Sequence, residues 1–278
     1  MEFSENNSKT SIGQPLLKGT PIKVPTEGYG LITLVGDESL SLKDQSFNVY
    51  QDLFNNLNRD NIVRIWNYVP DINTLMNDKT DGYMEFNAGR YTAWEKYGPL
   101  KEGKPYCPAA TATGARGGPL LVQVLWSENK VRYLKNKRQK RFVEYSTSYG
   151  TYPPCSSRLT VEDCGSHWML WVAGTSAVVG EKTEGTTLSK QCSVTWKNLE
   201  ALLLNNSDLE DMLIPHFDIR KPSYLRCYLR NEDHLDLYQK EIKKFFDTEP
   251  TIHLADICRG SLTGTLYHEV ECLYRVEK

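Results

Sequence analysis

The sequence predicts an α+β fold arranged in two halves of similar size. Strand-like and helix-like stretches alternate from about residue 32 onward, and long loops join several of them. The 278 residues are enough for one large domain or for two of about 140 residues each. Hydrophobic residues make up 40% of the chain and charged residues 24%, an ordinary globular balance that argues against a wholly disordered protein.

In the N-terminal half, hydrophobic periodicity predicts three strands and two helices. Ser46 is the predicted N-cap of the first helix, because Val49, Leu53 and Phe54 follow it at helical spacing. A stretch rich in Ala, Thr, Gly and Pro is predicted to be a loop. The predicted elements are strands at 32–35, 62–66 and 120–126, helices at about 46–57 and 83–97, and a loop at 105–119.

In the C-terminal half, the same periodicities predict five strands and two helices. The stretch at 168–174 is strongly apolar, as expected of a strand buried on both faces. Val194, Leu199 and Leu202 share one face of a long helix. The other predicted elements are strands at 142–146, 225–229, 252–258 and 266–274 and a helix at 232–246.

A basic run at 130–141 lies between the two halves. It could contact phosphates, but a solvated linker is the favoured interpretation. We therefore expect a mobile N-terminal segment at 1–25, an N-terminal half at 26–135 and a C-terminal domain at 136–278 that carries most of the functional site.

Charge and composition argue against several classes of partner. Lys and Arg total 33 and Asp and Glu total 35, so the net charge of −2 gives no long-range field for nucleic acid or an anionic membrane. No window approaches the roughly 18 consecutive apolar residues that a membrane span requires.

The 7 cysteines show no CxxC spacing and the 5 histidines are scattered, so we expect neither a metal site nor a disulfide framework. Without an export signal, a cytoplasmic location is expected.

The segment at 64–73 is the first candidate for a functional site. One cationic side chain, two aromatic rings and three polar side chains surround Pro70, which is more hydrogen-bonding chemistry than a connecting loop needs. The segment is therefore predicted to line a site, with a structural role for Arg64 and Trp66 as the alternative.

The second candidate is the loop at 149–158. Its prolines and glycine restrict the backbone, so side chains such as Tyr149 and Ser157 lose less entropy on binding. The guanidinium group of Arg158 offers a planar fork suited to a carboxylate. A well-ordered surface loop is the alternative interpretation.

The third candidate lies on the last predicted strand. Glu269 and Glu271 point to the same face of a strand, with His268 and Val270 opposite. A carboxyl group in an apolar pocket can stay protonated and serve as a general acid. A solvated pair of glutamates on an edge strand is the alternative.

Taken in order along the chain, these segments resemble the chorismatase family. The block at 64–73 matches the family's Arg-Ile-Trp-Asn-Tyr-x-Pro-x-Ile-Asn almost residue for residue. The other matches are Tyr83, Phe86, Gly89, Arg90 and Ala93, the loop at 108–114, Tyr149, Gly150, Pro154, Ser157 and Arg158, and the segments at 174–180, 255–259 and 269–271.

The resemblance implies a RidA/YjgF-like (chorismate-mutase-like) fold, in which a mixed sheet carries packed helices. It implies cleavage of the enolpyruvyl ether of chorismate, or of a close analogue, to pyruvate plus a dihydrocyclohexadiene or hydroxybenzoate acid. No cofactor is implied, because this hydrolysis needs only acid, water and oriented charges. The implied partner is a small dicarboxylate substrate, and the choice between monomer and homo-oligomer stays open.

The same resemblance assigns roles to particular residues. Glu269 is implied as the general acid, and Cys258 as a catalytic residue beside the substrate ring. The implied substrate-binding residues are Arg158, Arg259, Tyr149, Ser157, Arg90, Gly174, Thr175 and Ser176.

Three departures from the family's pattern lie near the implied pocket. The segment at 260–267 is some four residues longer than in relatives, Thr151 and Tyr152 replace a Pro-Arg-Ser sequence, and Glu181 and Lys182 replace His-Glu. The alternative function is therefore a diverged RidA-like enamine or imine hydrolase, or a module that binds a small carboxylate.

Overall fold

The structure, a computed structural model, describes residues 28–57, 61–258 and 264–278. The segment at 1–25, which we expected to be mobile, lies outside the described residues. The elements of the first half are β1 (Tyr29–Val35), α1 (Leu42–Asn56), β2 (Ile62–Pro70), α2 (Gly82–Tyr97), β3 (Leu100–Lys101), β4 (Lys104–Pro105), β5 (Ala109–Ala115) and β6 (Leu121–Ser127). The elements that follow are β7 (Lys130–Leu134), β8 (Leu159–Asp163), β9 (His167–Val172), β10 (Val178–Val179), β11 (Lys182–Thr183), α3 (Leu188–Leu203), α4 (Ser207–Asp211), β12 (Tyr224–Leu229), α5 (Leu235–Phe245), β13 (Thr251–Leu254) and β14 (His268–Glu277).

Two sheets organise these elements and confirm the α+β class. The four-stranded sheet has the order β1-β6-β2-β5, with β2 and β5 parallel. The six-stranded sheet has the order β13-β12-β14-β9-β8-β7, with β12 and β13 parallel. Both sheets are therefore mixed, as predicted.

The start of α1 corrects the predicted cap. Ser41 accepts a hydrogen bond from the backbone N–H of Asp44, so the helix begins one turn before the predicted position. Ser46 is buried inside the helix, where its hydroxyl donates to the Phe86 carbonyl oxygen of α2 at 2.9 Å. The first turn was missed because Lys43 and Asp44 are exposed, so the apolar periodicity begins late.

Three stretches differ in kind from the prediction. The predicted loop at 105–119 contains the buried strand β5, and the predicted strand at 142–146 is instead a short 3₁₀ turn (Phe142–Glu144). Residues 130–134 of the basic run form the edge strand β7 rather than a linker, with Lys130 and Arg132 exposed and Leu134 buried. Alternation of charged and apolar side chains on an edge strand explains why the run resembled a solvated segment.

Each sheet is covered by helices on one face, and the two remaining faces pack together. Helices α1 and α2 cover the four-stranded sheet, and α3 and α5 cover the six-stranded sheet. Between the sheets lie the buried side chains of Val63, Trp66, Leu125, Met169, Trp171 and Leu273. No helix within the described residues is both long and apolar enough to span a membrane.

Strand β14 divides its side chains between these layers. Val270, Cys272 and Tyr274 belong to the core beneath α3 and α5. Glu271 is buried against residues of the four-stranded sheet, and Glu269 has the same strand parity. The predicted alternation on this strand is confirmed.

Candidate active site

A buried carboxylate, Glu271, forms the centre of the contact between the two sheets. Its Oε2 accepts a hydrogen bond from Arg64 Nη2 on β2 at 2.6 Å, and its Oε1 lies 3.1 Å from Arg226 Nη1 on β12. Trp66 Nε1 donates to both carboxylate oxygens, at 3.1 and 3.2 Å. The segment at 64–73 thus lines a polar site between the sheets, where its arginine and tryptophan bind a protein carboxylate.

The charge state of Glu271 follows from these partners. Burial would raise its pKa, but Arg226 and Arg64 outweigh burial, with help from Thr111 and Trp66, and hold the pKa below its ordinary value. Glu271 is therefore an ionised carboxylate, paired on both sides and only 3% exposed. A permanently ionised group of this kind cannot donate a proton near neutral pH.

Glu269 lies two residues earlier on the same strand, in a different environment. Its side chain is 4% exposed and its Oε1 packs against the backbone of Gly174. An ideal Cβ placed on Gly174 would lie 2.0 Å from that oxygen, so the residue at 174 has to be glycine for the carboxyl group to sit there. The sequence prediction that Gly174 and Glu269 share a site is consistent with this contact.

The residues after Gly174 tie the same segment to β14. Thr175 and Val270 exchange both backbone hydrogen bonds, at 2.8 and 2.9 Å. The Thr175 hydroxyl donates to the Ala173 carbonyl oxygen, and the Ser176 carbonyl oxygen accepts from Asn198 on α3. Thr175 and Ser176 are thus occupied in holding the segment in place.

The predicted substrate loop adjoins this segment through its backbone. Ala173 N–H donates to the carbonyl oxygen of Arg158 at 3.0 Å, while Arg158 Nη2 donates to the hydroxyl of Tyr145 at 2.9 Å. The ring of Tyr149 lies 5.6 Å from the ring of Tyr145. Ser157 donates its hydroxyl proton to the Leu159 carbonyl oxygen at 3.2 Å.

Cys258 and Arg259 follow β13. Cys258 is partly buried against the core beneath α1 and α2, and Arg259 lies outside the described residues. The preceding Ile257 is held by Asn73 Nδ2, which donates to its carbonyl oxygen at 2.9 Å. Asn73 closes the 64–73 block, so this block positions the backbone that leads to Cys258.

Arg90 is buried on α2, one of the two helices that cover the four-stranded sheet. It is 2% exposed, its guanidinium group stacks 4.6 Å from the centroid of Phe86, and its Nη2 donates to Asn87 at 2.7 Å. Among the described residues Arg90 forms no ion pair with a carboxylate, and its Nε and the Asn87 Nδ2 are buried without hydrogen-bond acceptors. No described contact joins Arg90 to Glu269.

The sequence did not single out Thr111, Arg226 or Tyr228, although all three are buried. Thr111 lies in the stretch that was predicted to be a loop. Arg226 and Tyr228 alternate with apolar residues of β12, a pattern that ordinarily indicates a solvent-exposed face. Their burial follows from the packing of the second sheet and has no local signal in the sequence.

Comparisons with known proteins find similarity to chorismatases. Residues 25–126 match the family model described as chorismatase FkbO/Hyg5-like, N-terminal. A 3-hydroxybenzoate synthase of Streptomyces hygroscopicus is 24% identical over 220 residues, which cover 76% of this chain and 64% of that protein. A chorismatase of the same organism is 28% identical over 222 residues, which cover 77% of this chain and 62% of that protein.

The fold matches as well. A crystal structure of a chorismatase superposes with a TM-score of 0.75 at 23% identity, covering 90% of this chain and 75% of that chain. The predicted resemblance to the chorismatases is confirmed. The chain spans less than two thirds of the length of the two curated relatives.

Proposed function

We propose that this chain is a chorismatase-type enzyme that cleaves the enolpyruvyl ether of chorismate, or of a close analogue, with Glu269 as the general acid. One observation carries the proposal: two carboxyl groups on the same face of β14 have different surroundings. Glu271 is paired with Arg64 and Arg226, whereas Glu269 is buried against the Gly174 backbone. Different surroundings can give two neighbouring acids different proton affinities, and such a pair is a recurrent arrangement in general acid catalysis.

We propose that burial favours the protonated form of Glu269, because a carboxylate charge is disfavoured away from water and the ionised Glu271 on the same strand face adds like-charge repulsion. Arg64, which interacts electrostatically with Glu269, acts in the opposite direction, but it is already paired with Glu271. The proposed net effect is a carboxyl group that holds a proton it can deliver to substrate. General acid assistance at such a step contributes about 10²–10⁴ in rate.

The proposed reaction balances without a cofactor. The Glu269 proton passes to the methylene carbon of the enol ether, which leaves an oxocarbenium ion at the ether-bearing carbon. Water adds to that carbon and returns a proton to the Glu269 carboxylate. The hydroxyl group of the resulting hemiketal then gives its proton to the ring oxygen as the bond from carbon to that oxygen breaks, which releases pyruvate and a ring hydroxyl group.

The substrate's two carboxylates need cationic partners, for which Arg158, Arg259 and Arg90 are proposed. Arg158 is supported by its place beside the Ala173–Gly174 backbone. Arg90 is supported by its unpaired Nε and by the unpaired Nδ2 of Asn87, because buried donors without acceptors favour an anionic ligand. Arg259 rests on the family resemblance alone.

The remaining assignments concern the substrate ring. We place Tyr149 and Ser157 at the ring hydroxyl, and Gly174, Thr175 and Ser176 along the wall beside Glu269. Cys258 is proposed to lie against the ring and to influence which product forms. The partial burial of Cys258 and the fixed backbone of Ile257 support a defined position for this thiol.

The test is the substitution Glu269→Gln. The amide keeps the shape of the side chain but has no acidic proton, so we expect chorismate binding to persist while pyruvate release falls to background. Binding is measured by calorimetry, and pyruvate by a coupled assay that follows NADH oxidation. A variant that retains near-normal turnover removes Glu269 from the role of acid.

Glu162→Gln is the matched control. Glu162 is also fully buried, but neutral donors from Tyr29, Asn129 and Trp171 satisfy it on another part of the sheet contact. Its amide variant should turn over at the wild-type rate per folded molecule. If the wild-type protein releases no pyruvate from chorismate, the proposed function fails and an enamine or carboxylate substrate becomes the next assay.

A further inference from the structure

The hydroxyl group of Thr111 joins the two parts of the site. Thr111 lies on β5 and is 3% exposed. Its Oγ1 donates to Glu271 Oε2 at 2.7 Å and accepts from the backbone N–H of Gly174 at 3.1 Å. It also accepts a hydrogen bond from Arg64 Nη2.

These contacts use the full capacity of the hydroxyl group. A threonine hydroxyl has one proton to donate and two lone pairs that accept. Glu271 takes the proton, and Gly174 and Arg64 take the lone pairs. The direction of every hydrogen bond at Thr111 is therefore fixed by its partners.

Gly174 connects Thr111 to Glu269. The Glu269 carboxyl group packs on Gly174, and an ideal Cβ there would lie 2.7 Å from its Cδ and 3.0 Å from Thr111 Oγ1. Thr175 fixes the following residue by its paired backbone hydrogen bonds with Val270. The hydrogen bond from the Gly174 N–H to Thr111 therefore helps to fix the backbone against which Glu269 packs.

We infer that Thr111 is a positioning residue that holds the Glu269 carboxyl group in its reactive orientation through the Gly174 backbone. The inference rests on the proposed role of Glu269. The ionised, doubly paired Glu271 fixes Thr111, Thr111 fixes Gly174, and Gly174 supports Glu269. The hydrogen bonds of Thr111 thereby set the orientation of the Glu269 carboxyl group.

Removing the Thr111 hydroxyl should move the Gly174 backbone without unfolding the protein. Gly174 N–H also lies 3.3 Å from the Ala110 carbonyl oxygen, which can keep it hydrogen-bonded when Thr111 is replaced. Arg64 and Arg226 still neutralise Glu271. Valine has nearly the shape of threonine, so Thr111→Val changes chemistry rather than volume.

The kinetic test compares Thr111→Val with Thr111→Ser. We expect Thr111→Val to lower kcat by about tenfold to a hundredfold with little change in KM, because a small misplacement of a reacting group has an effect of this size. The upper pH limb of kcat should move to lower pH, since a carboxyl group released from Gly174 can turn toward Arg64 and ionise more readily. Thr111→Ser keeps the hydroxyl, so its kcat and the position of its upper pH limb should both match those of the wild type.

Thr195→Val is the matched control. Thr195 is another fully buried threonine, whose hydroxyl lies 3.0 Å from His268 Nε2 beneath the opposite face of β14. Thr195→Val should lose thermal stability, as Thr111→Val does, but should keep the wild-type kcat and pH profile. Equal kinetic loss in Thr195→Val, or wild-type kcat in Thr111→Val, would overturn the inference.

A crystallographic readout keeps the test independent of the proposed reaction. In Thr111→Val the Glu269 carboxyl group should leave its contact with Gly174, whereas in Thr111→Ser it should stay. A Glu269 position unchanged in Thr111→Val overturns the positioning role whatever the substrate is. A displaced Glu269 together with a wild-type enzyme that does not act on chorismate would uphold the positioning and reject only the proposed reaction.

Discussion

At the scale of single residues, three buried glutamates show how partners decide what a carboxyl group can do. Glu271 is bound by two arginines and Glu162 by neutral donors, and the carboxyl group of Glu269 packs against the backbone of Gly174. The charges of Arg64 and Arg226 make Glu271 a fixed anion. Identical side chains thus serve as an ion-pair partner, a hydrogen-bond acceptor and a proposed acid in three different surroundings.

His268 yields a prediction about pH and stability. It is fully buried between Thr195 and Tyr238, and burial lowers its pKa from 6.5 to about 4. The unfolded chain therefore binds this proton more readily than the folded protein does. Its share of stability is present above about pH 6.5 and is lost as the pH falls toward 4, amounting to roughly 3 kcal/mol.

The measurement is urea unfolding of wild type and His268→Gln between pH 7 and pH 4.5. His268→Gln should lose part of the acid destabilisation that wild type shows in this range. His216→Gln, at an exposed position, is the control and should follow the wild-type pH dependence. Parallel curves for wild type and His268→Gln would contradict the assignment.

At the scale of elements, Gly89 sets the distance between α1 and α2. An ideal Cβ on Gly89 would lie 2.0 Å from the Lys43 carbonyl oxygen and 2.8 Å from the Phe47 backbone nitrogen. These are backbone atoms of α1 that cannot rotate away. We expect Gly89→Ala to lower the free energy of unfolding by about 3 kcal/mol through overpacking.

The sign of this effect is the informative part, because at an open helix position alanine is more stabilising than glycine by about 1 kcal/mol. Ser193 is exposed on α3 and offers the comparison. There, Ser193→Ala should be more stable than Ser193→Gly in chemical denaturation. If Gly89→Ala is also more stable than wild type, close helix contact is not the reason for the glycine.

The elements also show which features of the fold a sequence can reveal. The parity of Glu269 and Glu271 was predictable because a strand alternates its side chains with a period of two. Strand β5 was not, because four of its seven residues are Ala and one is Gly, and both residue types are depleted in strands.

The partners of the buried acid were beyond prediction for a different reason. Arg64 and Glu271 are 207 residues apart in sequence, and nothing local states that they meet. Each was recognisable as a polar residue in an apolar strand, and such residues require a partner when buried. The sequence could thus indicate that a polar site exists, while its pairings depend on how the two sheets pack.

At the scale of the whole molecule, the contact between the sheets makes the two halves interdependent. Trp66 and Leu125 of the first half pack with Trp171 and Leu273 of the second. The Arg64–Glu271 ion pair lies within the same contact. Neither sheet could expose this face without uncovering both apolar side chains and a buried ion pair, so the halves are expected to unfold together.

Leu125→Ala tests this coupling. Leu125 is fully buried on β6, and its truncation should lower the free energy of unfolding by about 2–5 kcal/mol by leaving a cavity between the sheets. Native-state hydrogen exchange should then show the amides of α2 and α3 losing protection by the same amount, although the helices cover different sheets. Leu204→Ala, at a position 47% exposed just beyond α3, should leave both helices unchanged. Loss of protection confined to α2 would show instead that the first half opens on its own, because cooperative unfolding requires the second half to follow.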